Sequence, residues 1–184
     1  MGLDTRVSCC PDGLVTDRRR RIKVLDCTIR DGGICNEWQF DHGVVKRVYQ
    51  ALLESGIDYM EVGYKTRSGL IDPSTVGPWR FCEEHDLEKV VERNQSLKIA
   101  TMVDVGRIDT KDIPPACDSS IDVIRIATYS HQMDEALRLL NHCLEQGYET
   151  FMNVMAVSTL APDAVDDFLI QLSGSGVNNV AIVD

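Results

Sequence analysis

Six short apolar, β-prone runs recur along this chain, and most are separated by stretches with helical spacing of apolar residues. This alternation constrains the fold more than any other feature. The runs span residues 23–28, 59–63, 97–103, 122–127, 150–157 and 179–184. Helical spacing appears over 42–55 (Val44, Val45, Val48, Leu52, Leu53), 131–146 (Met133, Ala136, Leu137, Leu140, Leu144) and 162–172 (Val165, Phe168, Leu169, Leu172). Gly56 and Gly147 stop the first two, and Pro162 opens the third. Strands this continuously apolar are buried on both faces, which predicts a parallel sheet with right-handed helical crossovers. An open doubly wound sheet and part of a closed barrel both satisfy the pattern. Asp31, Gly63-Tyr64, Asp104, Thr128 and Ser158 follow the ends of the runs. Both architectures place their sites there.

Composition narrows the function classes. The net charge is −10, unevenly distributed. Up to Lys23 there are six Lys/Arg against three Asp/Glu, so the remainder holds 13 against 26. An acidic body repels phosphate backbones, which argues against a nucleic-acid partner. The run Arg18-Arg19-Arg20-Arg21 reads as a charged, solvated segment within a flexible basic leader over 1–22. No apolar run reaches the length of a membrane span and no secretory signal is evident, so no membrane partner and a cytoplasmic location are expected. The seven cysteines include no C-x-x-C pair, which leaves a zinc knuckle unsupported. Cys27, Cys117 and Cys143 read as small core residues, and Cys35 as a candidate thiol beside the motif below.

That motif is Leu25-Asp26-Cys27-Thr28-Ile29-Arg30-Asp31-Gly32-Gly33. A strand would deliver Arg30 and Asp31 to its C-terminal edge, with the glycines turning the backbone beneath a ligand. The Asp31 carboxylate suits Mg²⁺ or Mn²⁺. The Arg30 guanidinium could hold a carboxylate or a developing enolate oxygen. An Arg–Asp pair that merely tethers the loop fits the residues equally well.

The segment resembles the signature of the DRE-TIM metallolyases, the pyruvate carboxyltransferase-like superfamily, from about Lys23 to Asp184. Arg-Asp-Gly-Gly followed by Asn36 and Trp38 looks most like its 4-hydroxy-2-oxovalerate aldolase-like branch. Further matches fall in order: Met60-Glu61-Val62-Gly63-Tyr64, Ile124-Arg125-Ile126-Ala127, Met152-Asn153-Val154-Met155 and Val183-Asp184. The resemblance implies a partial TIM (β/α)8 barrel of about six β/α units over 23–184. It also implies a metal-dependent aldolase or lyase acting beside the carbonyl of a 2-keto acid, in a homo-oligomer. By that resemblance Asp31 binds the metal, Arg30 steadies a pyruvate enolate and Glu61 faces the reacting centre. Tyr64, Arg125 and Asn153 join Arg30 in holding substrate.

Two family features are absent. An H-x-H metal pair belongs to a seventh strand, beyond the last run, and none of His42, His85, His131 or His142 forms such a pair. These histidines read as solvated or capping residues. Ile34 stands where the aldolases carry an acid/base histidine, so Tyr64, Asp104 and Tyr129 become candidate replacements. A six-strand piece also leaves two open sheet edges. A Claisen-type acyl-CoA synthase and an inactive barrel fragment serving as a binding module are the alternative functions. A Rossmann domain is disfavoured because no G-x-G-x-x-G follows the first run.

Overall fold

All six runs form strands of one parallel sheet in the computed structural model, which describes residues 22–92 and 96–184. The strands are β1 (Leu25–Asp26), β2 (Tyr59–Tyr64), β3 (Lys98–Asp104), β4 (Val123–Thr128), β5 (Glu149–Val154) and β6 (Asn179–Ile182), hydrogen-bonded in sequence order. The sheet curls into a half-barrel with helices between its strands, a partial TIM barrel. The helices are α1 (Thr28–Asn36), α2 (His42–Glu54), α3 (Glu84–Leu87), α4 (Met133–Glu145) and α5 (Pro162–Ser173). Of the leader expected over 1–22, all but Ile22 lies outside the described residues. No helix among the described residues is long and apolar enough to cross a membrane.

Strand alternation divides the core into two layers. Met60, Val62, Ile124, Ile126 and Met152 face outward and pack against helix residues such as Val45, Leu140 and Phe168. Tyr59, Ala100 and Val123 face inward, with Leu25 and Phe151 against them. A polar network closes the N-terminal end of the interior. Tyr59 donates to Glu149 Oε1 at 2.7 Å, and Lys98 Nζ reaches Glu149 Oε2 at 2.6 Å. The sheet is open at β1 and β6, and outward-facing Val180 and Ile182 are 41% and 59% exposed.

The first motif folds differently from expectation. The strand ends at Asp26, and Arg30, Asp31, Gly32 and Gly33 lie inside α1, not in a glycine turn at a strand end. Asp26 starts the helix: its carboxylate accepts from the Thr28 backbone N–H at 3.0 Å and the Thr28 hydroxyl at 2.8 Å. Asp31 N–H then closes the first turn on Cys27 O at 2.8 Å. Gly33 has a packing role. The Trp38 indole lies so close that any Cβ there would overlap the ring. The chain reaches Trp38 through left-handed Glu37 (φ 55°) and Trp38 itself (φ 56°), which costs about 1 kcal/mol or more for each side-chain-bearing residue. Trp38 is fixed by its Nε1–H bond to Arg30 O at 3.0 Å and by edge contact with Tyr64.

The β2–β3 connection, for which the sequence suggested no element, holds a 3₁₀ turn (Pro78–Arg80) and the one-turn α3. Fully buried Trp79 anchors it by donating to Phe40 O at 2.9 Å. Cys143 is buried as expected and Cys27 half-buried, but Cys117 is exposed on the surface, not in the core.

Candidate active site

The expected site residues gather at the C-terminal side of the inner sheet face. Glu61 is fully buried at their centre. Its Oε2 accepts from Arg30 Nε at 2.7 Å and from Arg125 Nη1 at 2.6 Å. Arg30 Nη1 also pairs with Asp31 Oδ1 at 2.5 Å, but Asp31 is 57% exposed at the rim. Within the buried part, two guanidinium groups therefore share one carboxylate and carry an excess positive charge. Burial works against the charge on Arg30, yet the Glu61 carboxylate outweighs it and raises that guanidinium above its ordinary pKa. Cys27 lies in the same cluster, with Arg125 Nη1 3.6 Å from its sulfur. Burial and then the Glu61 charge push its thiol up to about 11, so it is a neutral thiol at physiological pH.

A bulge in β2 brings Tyr64 to this face. Glu61 pairs with Ala100, but Gly63 pairs with Thr101 and Tyr64 with Met102, so the register slips between Glu61 and Gly63. The extra residue reverses the alternation, and Glu61 and Tyr64 both point inward although three positions apart. Gly63 is thereby pressed against the Trp79 carbonyl, where a Cβ would collide with backbone. The Arg30 guanidinium sits 5.9 Å from the Tyr64 ring centroid. Asn153 is buried on β5, with its Oδ1 unpartnered, but it makes no hydrogen bond to the arginine–glutamate cluster. Thus Arg30, Asp31, Glu61 and Arg125 form one connected chain, Tyr64 touches it, and Asn153 stands apart.

Beyond Tyr64 opens a cavity of about 400 Å³ at the C-terminal ends of β2 to β5. Tyr64, Asp104 and Tyr129, the expected substitutes for the missing histidine, all line it. Burial and the Asp104 charge raise the Tyr64 pKa against the pull of Arg30, so its phenol remains a proton carrier. Ile34 is 60% exposed on α1. Arg80 also lines the cavity, a residue for which sequence reasoning assigned no role. The signal was there: Pro78-Trp79-Arg80 places a large apolar anchor directly beside a cation in the linker between the second and third runs.

The metal expectation meets a less favourable site. Among the described residues, no group of three or more His, Cys, Asp or Glu is placed to hold an ion. Asp31 is the one expected ligand, and its carboxylate is already paired with Arg30. The histidines lie elsewhere: His42 Nε2 is 2.8 Å from Asp86 Oδ1, His85 Nε2 is 3.2 Å from Asp86 Oδ2, and His131 stacks on Tyr129. His142 is the fourth, on α4. The residues present do not by themselves fit a bound divalent cation.

No family model matches the chain. It is 28% identical over 167 residues to the 4-hydroxy-2-oxovalerate aldolase of Geobacillus genomosp. 3, covering 90% of this chain and 49% of that protein. It is 25% identical over 173 residues to the oxaloacetate decarboxylase of Mycobacterium tuberculosis, covering 93% and 50%. The chain thus spans about half the length of these relatives. Among solved structures, the HMG-CoA lyase of Brucella melitensis superposes with a TM-score of 0.61 at 16% identity, over 89% of this chain and 61% of that one. That likeness concerns the fold.

Proposed function

Because the chain belongs to the DRE-TIM superfamily and spans about half the length of its aldolase relatives, we propose that it acts as, or within, a carbon–carbon lyase of the aldolase type on a 2-keto acid. The observation that carries this reading is the pair of guanidinium groups, Arg30 and Arg125, oriented on one oxygen of buried Glu61. When the C3–C4 bond of the 2-keto acid breaks, its electron pair forms the C2–C3 double bond and the carbonyl pair moves onto the keto oxygen, which yields an enolate. A guanidinium already oriented by Glu61 receives that charge without reorganising. Arg125 would hold the carboxylate of the same fragment, and Tyr64 would carry the proton exchanged with the leaving part.

The relatives' printed activities set the substrate candidates: 4-hydroxy-2-oxovalerate and oxaloacetate, both of which release pyruvate. A divalent ion is general among the superfamily's aldolases and lyases, where it polarises the keto group. Asp31 alone makes a poor site for it, so the charge-holding role described above falls on the arginines. A second reading, a binding module that holds 2-keto acids without turnover, is favoured by the absence of a metal-holding group among the described residues.

Pyruvate release from each candidate, coupled to lactate dehydrogenase and measured with and without Mg²⁺ or Mn²⁺, tests the proposal. One substrate should turn over, and Arg30→Met should reduce the rate by about 10²–10³-fold, the cost of removing one pre-set donor. Activity surviving in Arg30→Met would remove the enolate role. Binding without turnover in every condition would select the second reading.

A further inference from the structure

The cavity beyond Tyr64 is charged in a way that lyase chemistry at Arg30 does not use. Arg80 is 5% exposed. Its guanidinium carbon lies 4.9 Å from the Trp38 ring centroid and 4.2 Å from that of Tyr64, so the group is held in the corner where these two rings meet edge to face. The nearest carboxylate, Asp104, stands at 3.7 Å from Nη2, beyond hydrogen-bond length, and Nη1 has no hydrogen-bond partner. Burial pulls the Arg80 pKa below its ordinary value and the like charge of Arg107 lowers it further, while Asp104 offsets part of this. Two cations thus converge on one cavity beside a single, loosely held carboxylate. A buried donor without a partner is costly, and so are two like charges that one carboxylate offsets only in part. One added anion relieves both.

We propose that this cavity, between Arg80, Arg107, Trp38 and Tyr64, is a carboxylate subsite that receives the distal acid group of a dicarboxylic 2-keto substrate. The inference deepens the lyase reading and rests on it for the position of the 2-keto end. Arg30 and Arg80 both lie against the Tyr64 ring, at 5.9 Å and 4.2 Å from its centroid, so this one residue joins the arginine–glutamate cluster to the cavity. The charge count favours a carboxylate over a phosphate, because two arginines less Asp104 leave room for one negative charge. The guanidinium's planar fork also matches a planar carboxylate. In a molecule of net charge −10, such a pocket runs against the general field and gives local selectivity for an anion.

The test compares 2-oxoglutarate with 2-oxopentanoate, which differ by the distal carboxylate, using calorimetry at low salt and the fluorescence of Trp38 in the cavity wall. The native chain should prefer 2-oxoglutarate by about tenfold or more, the weight of one charge-assisted hydrogen bond. Arg80→Met should erase the preference while leaving 2-oxopentanoate affinity unchanged. Arg107→Met, at an exposed position where folding is not at risk, should reduce it. Equal binding of the two acids, or no binding of either, overturns the subsite. Inorganic phosphate competing as well as 2-oxoglutarate overturns the carboxylate assignment. A clear diacid preference in a chain that releases no pyruvate from any substrate would retain the subsite and reject the lyase reading instead.

Discussion

Replacing Glu61 by Gln keeps the shape of the side chain and removes the charge that two arginines share. Both contacts fall on Oε2, at 2.7 Å and 2.6 Å, and the residue is fully buried. Hydrogen bonds to charged groups contribute about 1.5–3 kcal/mol each. The amide oxygen of Gln retains one weaker bond worth about 1 kcal/mol. Arg30 is 15% exposed, so water recovers a little more. The net expected loss is about 2–5 kcal/mol, overlapping the range for breaking a buried ion pair from one side. That is a large fraction of the roughly 5–15 kcal/mol that holds a domain together. Urea unfolding followed by the fluorescence of Trp38 and Trp79 measures it. The double variant Glu61→Gln/Arg125→Met should lose less than the two single variants added together, because it removes a stranded cation with its partner. A loss below about 1 kcal/mol for Glu61→Gln, or strict additivity, would refute the shared-charge account.

Other outcomes follow from the same structure. Gly33→Ala should push Trp38 off α1 and cost about 1–3 kcal/mol, with red-shifted tryptophan emission; an unchanged spectrum and stability would contradict the packing role. At Asp86, burial opposes the charge, but hydrogen bonds from His42 and Lys89 outweigh it and hold the carboxyl below its ordinary range. A depressed carboxyl stabilises the fold above its unfolded value of 3.8 and loses that contribution as pH falls through the folded value. Asp86→Asn should therefore lower stability at pH 7 and flatten the decline below about pH 4 in acid titrations. In the native state at pH 8, thiol labelling mapped by mass spectrometry should modify Cys35 and Cys117. It should spare Cys82 and Cys143, which burial raises to about 12; modification of those two at equal rates would contradict the packing.

The parts of the fold legible in sequence were those written in repeated apolar spacing. β2 to β5, α2, α4 and α5 lie where periodicity placed them, because each is buried along a whole face or stripe. α1 was not legible, since Gly32 and Gly33 signal a turn wherever only local propensity is considered. What overrode them is tertiary: Trp38, five positions beyond Gly33, needs the space that a missing Cβ leaves. The Arg30–Glu61–Arg125 cluster could be assembled from family resemblance, since each residue sits in a recognisable sequence motif, although Arg30 is carried by α1 and not by a strand. The β2 bulge that turns Tyr64 inward has no one-residue signature, for Val62 looks like any strand valine. Arg80 was not legible because its setting depends on two aromatic residues distant from it in sequence, Trp38 and Tyr64.

In the proposed reaction Arg30, oriented by Glu61, holds the negative charge of a pyruvate enolate. Exchange of the pyruvate methyl protons for deuterium, followed by proton NMR in D₂O with and without Mg²⁺, reads enolate formation directly and needs no knowledge of the leaving fragment. The native chain should exchange these protons faster than buffer in at least one condition, and Arg30→Met should fall to the buffer rate. Exchange at the buffer rate in the native chain, or undiminished exchange in Arg30→Met, would contradict the claim.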